Sequence, residues 1–189
     1  MKAMGPYFAV IDTETNFNDE VMTLGAVIAR ADAMVPAERL YLLIDPEYRV
    51  PGFYSNRILL GRAPVSGVCS RAQAVRRLRE LLKKYGVTEI FAYNARFDRG
   101  HLPEMHGYHW FDIMKVAAYR QYNRGIGVQE CCSTGRLKYH YSAQDIYRLL
   151  CPRGCYSETH NALADAEDEL EIMRMLAQPL SVYGEKAGI

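Results

Sequence analysis

The chain lacks any apolar stretch that approaches the roughly 18 residues a membrane-spanning helix needs. It also lacks an excess of charge of one sign, with 23 Lys and Arg against 22 Asp and Glu and a formal net charge of +1. That balance argues against a protein that binds duplex nucleic acid mainly by electrostatic attraction, because such proteins are usually basic. Residues 1–6 run directly into the first predicted strand without the pattern of a signal peptide. We therefore expect a cytoplasmic protein with no membrane partner.

The chain is also poor in cysteine, with five in 189 residues. Four of them, Cys131, Cys132, Cys151 and Cys155, fall in one segment, and four thiolates are enough to bind a zinc ion. Adjacent cysteines such as the first two rarely serve as two ligands of one tetrahedral site, so the spacing favours ordinary reduced cysteines. The sequence leaves open whether this segment binds metal.

What is present is an ordinary globular composition, with 49% hydrophobic and 24% charged residues. A length of 189 residues without repeats or low-complexity segments predicts a single domain over residues 1–189 with a sizeable core. Three apolar runs, over residues 7–15, 21–30 and 38–45, predict an antiparallel meander of strands.

The rest of the pattern adds helices and two more strands. Residues 70–85 predict a helix that ends at Gly86, and the strand after it, residues 87–93, is expected to pair parallel with the first. Residues 109–112 predict a fifth strand, and residues 46–68 and 123–143 are expected to be irregular. Further helices are predicted over residues 97–102, over 113–122 with Asp112 as N-cap, over 142–150 and, last, over 161–176. The predicted fold class is α/β, with a central mixed five-stranded sheet, an antiparallel meander plus parallel strands, flanked by helices.

The most informative feature is a pair of carboxylates, Asp12 and Glu14, at the end of the first predicted strand. Residues i and i+2 of a strand point to the same face, so both side chains are expected to project together. Close carboxylates repel each other, and burying them without partners is costly. Hard divalent cations, which prefer oxygen ligands, would relieve that cost. The pair therefore predicts a metal site.

Two further motifs follow in order along the chain. Asn94 and Asp98 follow the strand predicted over residues 87–93, and His160 precedes Asp165 by five residues at the start of the last predicted helix. Asp-x-Glu alone is a weak signal, but the three motifs in this order and in these contexts are specific. Together they resemble the DEDDh family of 3′-to-5′ exonucleases, over nearly the whole chain from the first strand to Leu176. The resemblance implies a ribonuclease-H-like fold.

The resemblance also implies a catalytic set, namely Asp12, Glu14, Asp98, His160 and Asp165. The four carboxylates would hold two ions of Mg²⁺ or Mn²⁺, with Asp12 bridging both. Glu14 and Asp165 would complete the site of the attacking water, and Asp98 would serve the second ion, partly through water. The residues expected to contact substrate are Thr15, Asn16, Phe17, Asn94, Arg96 and Phe97.

His160 is expected to act on water rather than on metal. Residues five apart on a helix lie about 140° apart, so His160 and Asp165 do not share a helical face. The spacing places the histidine on the loop before the helix, from which an imidazole with a pKa near ~6.5 can serve as general base. A sister family has a tyrosine four residues before the aspartate, where this chain has Asn161, so the histidine branch is assigned.

Some positions depart from the family pattern. The family's polymerase-proofreading members follow Asp-x-Glu-Thr with Thr-Gly, whereas this chain has Asn16 and Phe17, which leaves its sugar and base contacts open. Phe17 either stacks on a base or packs under its loop. A basic and aromatic stretch either contacts a single strand or packs on the domain. It comprises Tyr119, Arg120, Tyr122, Arg124, Arg136, Lys138, Tyr139 and Tyr141, with Arg96 and Arg99 flanking Asp98.

The predicted function is hydrolysis at 3′ ends of single-stranded DNA or RNA, with release of nucleoside 5′-monophosphates. Residues 142–150 and the histidine motif resemble small phage-type exonucleases more than polymerase subunits. The alternatives are a non-catalytic nucleic-acid-binding or scaffolding module on the same fold and a ribonuclease-H-like endonuclease. The sequence leaves open the choice of DNA or RNA, the pathway, and a second copy or a polymerase as partner.

Overall fold

A computed structural model describes residues 5–60, 64–152 and 156–189. Its centre is a six-stranded sheet with the strand order β4-β3-β2-β1-β5-β6. The strands are β1 Tyr7–Thr15, β2 Val21–Arg30, β3 Pro36–Ile44, β4 Gly67–Cys69, β5 Glu89–Ala92 and β6 His109–Asp112. The helices are α1 Arg71–Tyr85, α2 Arg96–His101, α3 Met114–Ala117, α4 Ala143–Leu150, α5 Ala162–Leu176 and α6 Leu180–Lys186. Single 3-10 turns cover Glu47–Arg49, Pro103–Met105 and Val128–Glu130.

The sheet is mixed, as predicted. Strands β1, β2 and β3 form the antiparallel meander, while β5 pairs parallel with β1 and β6 pairs parallel with β5. Helix α1 begins at the N-cap Ser70, which shares a capping box with Gln73, and ends where Gly86 adopts a left-handed backbone with φ of 62°. Glycine enters that region without steric cost, so the sequence placed this helix end correctly.

The predicted count of five strands is wrong by one. Strand β4 begins within residues 46–68, which were expected to be irregular, and pairs parallel with the end of β3 at the sheet edge. Three residues are too few to show a strand period in sequence. The strand exists because Leu42, Leu43 and Ile44 of β3 present an edge for it to pair with.

Two helix predictions also need correction. Helix α3 ends at Ala117 rather than near residue 122, because Asn123 turns the chain back and its Nδ2 donates to the Ala117 carbonyl at 2.8 Å. Asp112 is not its N-cap, although Oδ1 of Asp112 accepts the Met114 N–H at 3.0 Å. Helix α6 follows the helix predicted to be last, and its buried Tyr183 meets Phe91 of β5 edge to face.

Apolar layers cover both faces of the sheet. On one face Phe8 and Val10 of β1 join the cluster that includes α5, and on the other Ala9 and Ile11 join the cluster that includes α1. This alternation places the even-numbered residues of β1 beneath α5. Within the described ranges, no helix combines the length and the apolar character needed to cross a bilayer.

Candidate active site

The end of β1 carries two carboxylates on one face, as the sequence predicted. Asp12 and Glu14 continue the even-numbered side of the strand that points towards α5, and Asp12 lies opposite Gly25 of β2. Both side chains are partly exposed at the end of an otherwise buried strand.

Gly25 lets α5 approach the sheet closely enough to bring a third carboxylate to this pair. A Cβ on Gly25 would lie 2.2 Å from the carbonyl carbon of Ala162 and 2.3 Å from the backbone nitrogen of Leu163. Only glycine fits against backbone at that distance. The first turn of α5 therefore runs directly over β2 and places the buried Asp165 beside Asp12 and Glu14.

Asp98 is fixed to β1 by two hydrogen bonds. It lies in α2, is 1% exposed, and accepts through Oδ1 from the backbone nitrogen of Thr13 at 2.9 Å and from its hydroxyl at 2.8 Å. Because Thr13 stands between Asp12 and Glu14, these bonds hold the second sequence motif against the first.

His160 lies on the loop before α5, as its spacing predicted. Its backbone is left-handed with φ of 55°, and its ring stacks on Tyr54 with centroids 3.6 Å apart and planes 8° apart. Potential ligand atoms of Glu14, His160 and Asp165 all lie within 4.8 Å of one another. The imidazole therefore stands within reach of both carboxylates, whether it acts on water or on a cation.

Asn161 holds the start of α5 and the loop that carries the stacking partner of His160. Its Oδ1 accepts from the Ala164 backbone nitrogen at 3.1 Å, which caps the helix. Its Nδ2 donates to the Tyr41 hydroxyl and to the Ile58 carbonyl, both at 3.0 Å. The segment of residues 51–60, here the 51–60 loop, is thus tied to the same helix end that presents Asp165.

The carboxylates of the site repel one another when they are ionised. Burial, reinforced by Asp98 and Glu169, raises the pKa of Asp12 well above its usual range. Burial is also the main cause that raises the pKa of Glu14 to about 7 and that of Asp165 to about 8, with Glu158 adding to both. Such shifts mean that the ionised cluster lacks compensating positive charge.

Asp98 shows the same shift, in spite of its donors. Burial raises the pKa of Asp98 to about 7, although the hydroxyl and backbone N–H of Thr13 favour its ionised form. Oδ2 of Asp12 and Oδ1 of Asp165 are buried and have no hydrogen-bond partner among the described residues. Carboxylate oxygens that lack hydrogen-bond partners and lie close to other carboxylates are suitable ligands for hard divalent cations.

Sequence reasoning missed two acidic residues of this cluster. Glu169 lies one helical turn after Asp165 in α5 and is 3% exposed, and Glu158 lies two residues before His160. The i, i+4 spacing of Asp165 and Glu169 is the sequence signal that was available, since such residues share a helical face. No comparable signal marks Glu158, which reaches the site from a loop.

The residues expected to contact substrate divide into two groups. Asn16 is buried and its amide is engaged inside its own loop, where Oδ1 accepts from the backbone nitrogens of Asn18 and Glu20. It shapes the loop rather than presenting its side chain to solvent. Thr15 is partly exposed, and the solvent-facing group comprises Phe17, Asn94, Arg96 and Phe97.

Phe17 does not pack under its loop. It is 61% exposed and meets Phe53, which is 83% exposed, edge to face at 4.9 Å. The Phe17 backbone nitrogen donates to the Pro51 carbonyl at 2.9 Å, so the loop that carries Phe17 is joined to the 51–60 loop that carries Phe53.

Two thiols of the cysteine segment have local partners. Sγ of Cys131 lies 3.4 Å from the Gly127 carbonyl, and Sγ of Cys132 lies 3.0 Å from the Thr134 hydroxyl. Within the described part of the chain, the group of potential metal ligands around His160 contains no cysteine. Cys155 lies outside the described residues, so the structure does not place all four thiols.

Comparison with known proteins shows that the fold is similar to that of several solved nucleases. In sequence, the chain matches no family model and no curated protein. In structure, it is similar to Exonuclease X in complex with 5′-overhanging duplex DNA, with a TM-score of 0.59 and 22% identity over 94% of this chain and 98% of that one. It is also similar to the nuclease domain of 3′hExo, a DEDDh family member bound to rAMP, with a TM-score of 0.63 and 12% identity over 100% and 98% of the two chains.

A third similar structure is E. coli Exonuclease I in complex with a dA16 oligonucleotide, with a TM-score of 0.61 and 16% identity. That match covers 95% of this chain and 42% of the other. The chain has the fold of these nucleases. The predicted ribonuclease-H-like fold is thereby confirmed, with six strands in place of five.

Proposed function

We propose that this protein is a metal-dependent 3′-to-5′ exonuclease that releases nucleoside 5′-monophosphates from single-stranded DNA or RNA. The observation that carries the proposal is the convergence of Asp12, Glu14, Asp98 and Asp165 from β1, α2 and α5, with His160 beside them. The nuclease fold supports it, and the order of the motifs along the chain agrees with the DEDDh pattern.

The donor set fits two ions of Mg²⁺ or Mn²⁺. Asp12, Glu14, Asp98 and Asp165 are the residues that would hold them, because their oxygens are close together, partly unpaired and destabilised as anions. When bound, the ions would supply Lewis-acid stabilisation of the phosphate and of the attacking and leaving oxygens. The four carboxylates and the two divalent ions would cancel in charge, so the metal-loaded site would not repel an anionic phosphodiester.

His160 is the proposed general base. Burial and the nearby Arg57 guanidinium lower the pKa of His160, so the ring is neutral at physiological pH and has a free nitrogen to accept a proton. It takes that proton from the water that attacks the last phosphodiester, while the bond between phosphorus and the 3′ oxygen of the preceding nucleotide breaks. The terminal nucleotide then leaves as a nucleoside 5′-monophosphate.

Exposed rings at the site edge suit the terminal base of a single strand. Phe17 and Phe53 form an exposed ring pair, and Phe17 follows Glu14 by three residues along the chain. Aromatic stacking holds any base without reading its identity. Asn94 follows β5, and Arg96 and Phe97 lie on α2, the helix that carries Asp98; all three side chains are exposed. Thr15 and Asn16 act through the loop that presents Phe17.

The incoming strand is proposed to follow the basic and aromatic stretch. Arg136 lies over the Tyr141 ring at 5.6 Å, and Tyr139 is exposed. The Tyr93 hydroxyl donates to the Tyr141 carbonyl at 2.6 Å, so this stretch is tied to the end of β5 that borders the carboxylates. Proteins that bind single strands usually combine cationic side chains, which contact phosphates, with aromatic rings, which stack on bases.

Matched single-stranded DNA and RNA oligonucleotides with a 5′ label, each with a free or a blocked 3′ end, test this function. We expect a ladder that shortens one nucleotide at a time from the free 3′ end, and protection of the blocked strand. Internal cleavage of the blocked strand would instead support an endonuclease. Binding without any cleavage across millimolar Mg²⁺ and Mn²⁺ would support the non-catalytic module.

A further inference from the structure

Glu169 is a buried carboxylate that the four-carboxylate scheme does not use. It is 3% exposed, and its Oε2 has no hydrogen-bond partner among residues 5–60, 64–152 and 156–189. A buried carboxylate with an unpaired oxygen costs free energy unless a cation or a donor compensates it. Its neighbours along α5, Leu170, Ile172 and Met173, are apolar and buried, so an apolar side chain would suit the packing of this helix.

The placement of Glu169 aims it at the proposed metal site. It follows Asp165 by one turn on the face of α5 that lies against β1. Burial raises the pKa of Glu169 well above its usual range, and the Tyr93 backbone N–H just past the end of β5 opposes that shift, so the carboxylate lies near that strand end.

The charged groups that interact with Glu169 also belong to the proposed metal site. Asp98 and Asp165 are among the charges that act on Glu169, and Glu169 is among those that act on Asp12. Glu169 therefore acts on the same cluster as Asp12, Asp98 and Asp165, and it lies outside the group of Glu14, His160 and Asp165 whose potential ligand atoms are within 4.8 Å of one another.

We propose that Glu169 is a fifth carboxylate of the divalent-metal site, contributing negative charge to the ion held by Asp12 and Asp98. The inference rests on the proposed function for the presence of the ions, and it adds a residue that the family motif does not include. Glu169 would then lower the stability of the metal-free protein and raise its affinity for metal. The metal-free protein carries an additional buried carboxyl group, which is costly when it is ionised, and the metal-loaded protein gains an additional attraction.

Mn²⁺ titration of the full chain, by calorimetry and by thermal unfolding, tests the proposal. Glu169→Gln keeps the shape and removes the charge. We expect it to raise the melting temperature of the metal-free protein and to weaken Mn²⁺ affinity by about 10–100-fold, the usual cost of losing a group that supports a metal site. Glu169→Met, which is apolar and of similar length, should do the same, and it keeps the test valid if the amide packs poorly.

Glu171→Gln is the matched control, because it removes the same charge from an exposed part of α5 where Glu171 pairs with Arg174. It should leave Mn²⁺ affinity within about twofold of wild type, as expected for a screened surface charge. Unchanged or tighter Mn²⁺ binding by both Glu169 variants would overturn the inference and leave the proposed function standing. Absence of Mn²⁺ binding by the wild type would overturn the proposed function itself, and this inference with it.

Discussion

Two adjacent side chains at the start of α5 have opposite tasks. Asn161 is buried and bonds the helix end to Tyr41 and the 51–60 loop, whereas His160 takes a left-handed backbone and turns its ring onto Tyr54. The positive φ of His160 is costly for a residue other than glycine. Strain held in this way at a site is consistent with a side chain positioned for chemistry rather than for packing.

Replacement of His160 by alanine tests its role as base. We expect kcat to fall by about 10²–10⁴-fold, the usual contribution of a positioned general base, with metal affinity close to wild type. The wild-type rate should climb with pH through the titration of His160, below the ordinary histidine value because burial lowers its pKa. If His160→Ala weakens Mn²⁺ binding as much as Asp165→Ala does, His160 is a ligand and this role is wrong.

Tyr54 is expected to act through His160. Tyr54→Ala removes the stacked ring and frees the imidazole, and we expect a loss in kcat of up to about 10²-fold with little change in KM, since misplacement of a catalytic group costs that much. Tyr54→Phe keeps the stacking surface and should retain most activity. Equal loss in both variants would mean that the hydroxyl, not the stacked ring, matters.

At the scale of elements, the site depends on how closely α5 lies on the sheet. The Gly25 Cα faces the backbone of Ala162 and Leu163, and this contact sets the depth at which Asp165 enters the cluster. Strand β1 supplies Asp12 and Glu14 from a register fixed by β2, and Thr13 ties α2 to the same strand. Three elements thus meet at one strand end.

Gly25→Ala tests this dependence. The added methyl group would meet backbone that is unable to rotate away, so we expect a loss in stability of about 3 kcal/mol or more, measured by denaturant unfolding. Metal-induced stabilisation should shrink as well, because α5 is displaced. Gly184→Ala in α6 is the matched control, since its Cβ meets nothing within 4 Å and alanine favours a helix. A Gly25→Ala protein as stable as Gly184→Ala would contradict the close-packing account.

The sequence predicted those elements whose own residues determine them. Strands β1, β2 and β6, and the end of α1 at Gly86, follow from local apolar pattern and capping chemistry. Strand β4 and helix α6 were missed because three and seven residues carry little periodicity, and their partners lie far away in sequence. Helix α3 was predicted too long because the turn at Asn123 depends on a hydrogen bond from its side chain to the Ala117 carbonyl.

The candidate site shows the same division. Asp12, Glu14, Asp98, His160 and Asp165 are marked by motif, and the structure brings them together. Glu158 joins only through the path of its loop, and the role of Gly25 depends on a helix more than 130 positions later in the chain. Charges and contacts between distant segments are set by packing, which a local pattern does not specify.

At the scale of the whole molecule, the acidic cluster is a source of instability that cations would cancel. Without metal, Glu14, Asp98 and Asp165 have folded-state pKa values of about 7, 7 and 8. In the unfolded chain such groups titrate near ~4. Between these limits the folded state keeps protons that the unfolded state has released, so the free energy of unfolding falls as pH rises from about 4 to about 8.

Thermal unfolding in EDTA should therefore show a melting temperature that declines as pH rises through this window. Saturating Mg²⁺ or Mn²⁺ should reduce the decline, because the ions stabilise the ionised cluster in the folded state by RT ln(1 + [L]/Kd). Asp165→Asn removes one of the shifted groups and should flatten the EDTA curve. A wild-type protein whose metal-free melting temperature rises between pH 5 and pH 8 would refute this view of the cluster.

The central claim is that the cluster hydrolyses the last phosphodiester of a strand with the help of divalent ions. Its most direct measurement is the product released from a single strand labelled in its 3′-terminal nucleotide, with Mn²⁺ or with EDTA. The account predicts that the first labelled product is a nucleoside 5′-monophosphate, formed only with metal and lost in Asp12→Asn. A labelled product longer than one nucleotide, or equal release by Asp12→Asn, would contradict it.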